Sequence, residues 1–178
     1  MTETVFVTRR ARQALSVVLA VYGAYLVFHP DHYSWLDSLD LAIHEVGHPL
    51  FGIFGEFIGV LGGTLMQLLM PALFVWYFWR HGDRHASTVA LWWVAQNLWN
   101  ISVYVKDARA EELPLVGGGE HDWNYLLGEL GLLDQDQLLG DVVRVAGALL
   151  GLWACLRGWT YAVEIERQRD AGDPGGGP

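Results

Sequence analysis

His44, Glu45 and His48 stand in the order His-Glu-Val-Gly-His, the part of this sequence with the clearest chemical meaning. Two imidazoles four residues apart share one face of an α-helix, so both can approach a single Zn2+, and a glutamate beside the first is placed to accept a proton from a water that the metal activates. Each residue type suits its task. Neutral imidazole donates a nitrogen lone pair, a carboxylate serves as general base, and the metal makes hydroxide accessible near neutral pH. The surrounding run, 39–63, is otherwise mostly apolar. Burying two histidines and a glutamate there carries a desolvation cost that metal coordination relieves.

A catalytic zinc site needs a third protein ligand and an open position. His121 and Asp122, in GGGEHDWNY, are the first candidates, because the glycines let the backbone turn a ligand toward the site. His121 would supply nitrogen; Asp122 would supply oxygen or a hydrogen bond that orients His121. Asp141, Asp107 and Glu56 are alternatives. The simpler role for Asp107 is an ion pair with Lys106 or Arg109, and Glu56 shares the face of His48 only if one helix continues past Pro49. Charge developing on a hydrated carbonyl also calls for polar donors. Asn100 is the candidate for that catalytic role, beside Gln67, Gln96 and Asn97, although all four could instead bond between helices. His81 and His85, in RHGDRH, read as a solvated turn, and His29 and His32 as boundary residues.

The elements that must carry these groups are membrane-like. Of 178 residues, 52% are hydrophobic and 17% charged, against roughly 45–50% and about 25% in soluble domains. Apolar runs fall at 14–28, 39–63, 64–79, 86–105 and 138–163. The first follows Arg9, Arg10 and Arg12 like a secretory signal, but HPDHYSW offers no small-residue cleavage site, so it is expected to remain as a helix. In the second, Pro49 and five glycines favour a kinked, re-entrant or interfacial helix over a straight span. Within the polar segment 106–137, NYLLGELGLL suits a short amphipathic helix. Cys155 lies in an apolar run as a packing residue. The expected architecture is an all-α, multi-pass helical bundle, one integral membrane domain over 1–168, with about four crossings and a disordered Gly/Pro tail at 169–178.

Basic residues favour the cytoplasmic side. With four crossings, the Arg9 cluster, Arg80 with Arg84, and Arg167 with Arg169 all lie inside, whereas a fully crossing His44 segment would separate them. The expectation is therefore cytoplasmic termini, a plasma (inner) membrane location and a site toward the outer face. A net charge of −9 repels a phosphate backbone and argues against nucleic acid.

In its HExxH motif and its set of apolar segments, the chain resembles integral membrane zinc metallopeptidases of the site-2 protease class. That resemblance implies peptide cleavage in or beside the bilayer, with His44 and His48 on zinc, Glu45 as base and a distant aspartate as third ligand. No NPDG-like segment is present to supply that aspartate, which leaves His121 or Asp122 to replace it. The implied partners are membrane lipid and a membrane-associated peptide or protein substrate. A metal-dependent enzyme acting on a lipid or amide, and a metal-stabilised scaffold, are the alternatives.

Overall fold

The structure, a computed structural model, describes residues 9–30, 32–113 and 121–172, with side chains to residue 163. Six α-helices occur among them and no strand: α1 (Arg9–Phe28), α2 (Trp35–Phe51), α3 (Glu56–Arg80), α4 (Arg84–Lys106), α5 (Asp122–Glu129) and α6 (Asp136–Gly172). Three segments, Arg9–Phe28, Glu56–Arg80 and Leu133–Val163, are long and apolar enough to cross a membrane. Their outward faces expose large apolar side chains such as Val18, Val21, Leu73, Trp76, Leu149 and Leu152. Contiguous apolar surface on this scale suits lipid rather than water.

The fourth long helix, α4, is less apolar because it turns its polar groups inward. Gln96, Asn97, Ser87, Thr88 and Ser102 are all buried. It packs against α6, α3 and α1, and its Trp92, Ala95 and Trp99 form a core with Leu26, Ala154 and Cys155. Cys155 is a buried free thiol.

Side-chain pairs at the two ends of the bundle define the helix directions. At one end, Arg12 of α1 pairs with Asp83 at 3.2 Å, and His85 of α4 meets the Arg12 carbonyl at 3.0 Å. His85 is therefore buried rather than part of a solvated turn. Toward the other end, Arg144 of α6 donates to the Val27 carbonyl at 2.7 Å, and Lys106 of α4 pairs with Asp141 at 2.7 Å. Accordingly α1 and α4 run one way, α3 and α6 the other. The HExxH helix α2 follows the end of α1 and leads into the start of α3, so it enters and leaves at the same end.

Three further sequence expectations are corrected. The boundary expected between runs 39–63 and 64–79 instead falls at a 3-10 turn, Gly52–Phe54, followed by Gly55 with φ +107°, a left-handed conformation suited to glycine. Pro49 lies in the last turn of α2, and α3 begins at Glu56. Gly47 and Gly62 allow the two helices to touch backbone to backbone: a Cβ on Gly62 would lie 2.7 Å from the Gly47 carbonyl oxygen. Asp107 pairs with neither Lys106 nor Arg109; it accepts from the Glu112 and Leu113 amides at 3.0 Å each, while Arg109 pairs with Asp136 at 2.6 Å. Finally, 169–172 continue α6 rather than belonging to a tail, and 173–178 lie outside the described residues. The short helix expected at NYLLGELGLL is present in its first part only: α5 starts at Asp122 and ends at Glu129, with Leu126 and Leu127 buried.

Candidate metal centre

Helix α2 places His44 and His48 one turn apart, their ring centroids separated by 4.8 Å. Helix α5 brings Asp122 between them. Its Oδ2 lies 2.8 Å from His44 Nε2 and 3.4 Å from His48 Nε2. One ligand atom from each residue falls within 4.8 Å of the others.

The opposite edges of the two rings face oxygen atoms. His48 Nδ1 lies 3.1 Å from the Gly59 carbonyl oxygen and His44 Nδ1 lies 3.1 Å from Gln67 Oε1. Both are acceptors, so each Nδ1 is the N–H and donates. In the neutral rings each Nε2 is then a bare lone pair. Two imidazole nitrogens and a carboxylate oxygen thus converge on one point, a donor set that fits a divalent cation. This donor set can hold a metal ion.

Asp122 is the first residue of α5. His121 caps that helix: its Nδ1 accepts from the Asn124 amide at 3.3 Å, and Asn124 Nδ2 donates to the Ala108 carbonyl at 2.8 Å, tying α5 to the segment after α4. His121 is outside the ligand group. Its Nε2 lies 3.3 Å from Asp107 Oδ2 but lacks hydrogen-bond alignment with it. Of the two adjacent candidates the structure brings Asp122 to the histidines and uses His121 to set the start of its helix. Glu120 and the glycines before it lie outside the described residues.

A cavity of about 380 Å³ opens over the group. Glu45 and Glu56 stand on its wall with Tyr104, Trp123 and Tyr125, together with Thr64, whose hydroxyl has no partner among the described residues. Asn100 also reaches the cavity, but its amide is engaged at both ends, accepting from Gln67 Nε2 at 2.9 Å and donating to Asp37 Oδ1 at 3.1 Å. Asp141 is held by Lys106, Asp107 by the backbone amides described above, and Glu56 by its position at the start of α3; none joins the ligand group.

Asp37 is a site residue that the motif and its spacing do not single out. Buried at 8% exposure, it gathers donors from α4 and its own helix start. The signal is present in LDSLDLAIHEVGH, where Asp37, Asp40, His44 and His48 recur three, four and four residues apart along one helical face. Asp40, fully buried, accepts from Trp93 at 2.8 Å and Asn97 at 3.3 Å on that stripe.

Gly63 of α3 lies directly against His44, where a Cβ would collide with the imidazole. Gly63→Ala must push the ring away from the convergence point. We expect zinc affinity to fall by about tenfold or more, with an overpacking cost of ~1–3 kcal/mol in stability; competition with a fluorescent zinc chelator and thermal denaturation measure the two effects.

Together these features define an all-helical protein with three helices suited to crossing a membrane and a His44–His48–Asp122 group able to hold a metal. Comparison with known protein families, curated proteins and solved structures gives no match.

Proposed function

We propose that the chain is a membrane-embedded zinc-dependent hydrolase, a peptidase that cleaves peptide bonds in or near the bilayer. The observation that carries this reading is the convergence of three acceptor atoms beside a cavity whose wall includes the motif glutamate. His44, His48 and Asp122 would hold the ion, three protein ligands being the usual complement of a catalytic zinc site. When bound there, zinc supplies Lewis-acid polarisation of the scissile carbonyl and eases deprotonation of water. Glu45 takes the proton from the attacking water and returns it to the leaving amine nitrogen. Asn100, engaged with Gln67 and Asp37, helps to hold the site rather than touch substrate.

The reading places four helices across the bilayer, α4 beside the three segments long and apolar enough to cross. With α1, α3, α4 and α6 across the bilayer, the arginines at 9, 10, 12, 80 and 84 gather at one end and the centre sits toward the other. The positive-inside rule makes the arginine end cytoplasmic. The site then faces the outer side of a plasma (inner) membrane, where α2 and α5 enclose a membrane-associated peptide segment.

The test is hydrolysis by purified protein in lipid nanodiscs against peptide and lipid panels, with sidedness read by labelling Glu111→Cys, an exposed position, in intact cells. Zinc-dependent peptide cleavage and labelling from outside are expected. Turnover of lipid or simple amide substrates alone would assign a different enzyme class, zinc retention without any turnover would favour a scaffold, and labelling only from the cytoplasm would reverse the orientation.

A further inference from the structure

The two zinc-facing histidines are held in different ways. Behind His48 stands a backbone carbonyl, that of Gly59, which can only accept. Behind His44 stands a side-chain amide, that of Gln67, which presents either an oxygen or an NH2 group depending on its orientation. If Gln67 turned its NH2 to the ring, His44 Nδ1 would have to accept, the hydrogen would move to Nε2, and no lone pair would face Asp122. Something must therefore fix the amide.

The partners of Gln67 lead through α4 to α2. Gln67 Nε2 donates to Asn100 Oδ1 at 2.9 Å, and Asn100 Nδ2 donates to Asp37 Oδ1 at 3.1 Å. Asp37 Oδ1 also receives Gln96 Nε2 at 3.1 Å, and its Oδ2 receives the Ser34 amide at 2.6 Å and the Ser34 hydroxyl at 2.7 Å. A carboxylate has no hydrogen to give, so Asn100 must present its NH2 to Asp37 and its oxygen to Gln67. Gln67 must then present its own oxygen to His44. Each link leaves one orientation for the next.

We propose that Asp37 is a positioning residue for the metal centre: through Asn100 and Gln67 it sets His44 in the Nδ1–H tautomer and leaves Nε2 free for zinc. This rests on the metal-centre reading above. Asp37 touches neither the ion nor substrate; it acts through two amides, seven residues before the histidine it orients. Because hydrogen-bonded chains polarise one another, its negative charge also strengthens the donor power of His44.

A charge relocation tests the direction of the chain. In D37N the Ser34 amide still requires the oxygen of the new side chain, so an NH2 group faces Asn100 and Gln96; Gln96, Asn100 and Gln67 all turn over, and Gln67 offers NH2 to His44. Zinc affinity is expected to fall by about 10–100-fold. Q67E restores an acceptor beside His44 whatever lies upstream, and in D37N/Q67E every link is satisfied in the reversed sense. The new amide at position 37 donates to the Asn100 oxygen, the Asn100 NH2 donates to the new carboxylate at position 67, and His44 Nδ1–H donates to that same carboxylate. The double variant should bind zinc about tenfold or more tightly than D37N alone.

The measurement is zinc titration of the purified full-length chain against a competing chelator, with His48→Ala beside it, and nitrogen-15 spectra of the histidine rings in the zinc-free, unchanged protein. An Nδ1–H form of His44, an affinity loss in D37N and its recovery in D37N/Q67E support the proposal. An Nε2–H form, unchanged affinity in D37N, or a double variant as weak as D37N would overturn it while leaving the metal centre standing. Equal zinc affinity in the unchanged protein and His48→Ala would instead remove the metal centre, and the relay with it. The spectra need no variant, so they decide the matter even if D37N does not fold.

Discussion

Glu45→Gln should lower peptide turnover by about 10²–10⁴-fold while zinc content stays that of the unchanged protein. The two side chains are nearly the same size, but the amide cannot take a proton from water. Glu45 is exposed on the cavity wall and is not one of the three convergent ligand residues, so the substitution should neither unfold α2 nor release the ion. Steady-state kinetics on a peptide substrate, together with metal analysis of the same preparation, separate the two effects. Activity within about tenfold of the unchanged protein would show that another group accepts the proton. Joint loss of zinc and activity would make Glu45 a part of the metal-holding structure.

The second large effect distinguishes two neighbours. Asp122→Ala removes the oxygen that lies 2.8 and 3.4 Å from the two Nε2 atoms. Four ligands of a structural zinc site share roughly 10–16 kcal/mol, so losing one should cost about 2.5–4 kcal/mol, a drop in affinity of the order of 100- to 1,000-fold. His121→Ala should behave differently, because its ring caps α5 and lies outside the ligand group. Loss of a helix cap costs ~0.5–2 kcal/mol, which loosens the element carrying Asp122 and weakens zinc by about thirtyfold at most. Chelator competition on both variants checks the order. A larger loss in His121→Ala than in Asp122→Ala would exchange the two residues' roles.

What is legible in the sequence, and what is not, follows from the range of the interactions. The His44 and His48 pair is local to one helix, so spacing alone places both rings on one face. Asp122 lies 78 residues beyond His44, and only the docking of α5 decides between it and His121. Adjacent residues at a helix start point in different directions, and composition carries no information about which one faces the histidines. The break at Gly52–Phe54 is hidden because the apolar pattern runs on through it while the backbone turns. Asp37 is legible only as part of a stripe. Its partners Gln96 and Asn100 stand out as groups seeking bonds inside a bundle, but an aspartate near a membrane boundary attracts no notice until the opposite helix is in place. Ion pairs such as Arg109 with Asp136 join the far ends of a loop, and nearest-neighbour reasoning gives those charges the wrong partners.

Everything above depends on His44, His48 and Asp122 forming one metal centre, and anomalous diffraction at the zinc absorption edge, from crystals of the full-length chain grown with zinc, decides whether they do. A single strong peak bonded to both Nε2 atoms and to an Asp122 carboxylate oxygen is expected, with His121 turned toward Asp107. A peak held by His121 or Asp107 in place of Asp122, or no peak between His44 and His48, would contradict it.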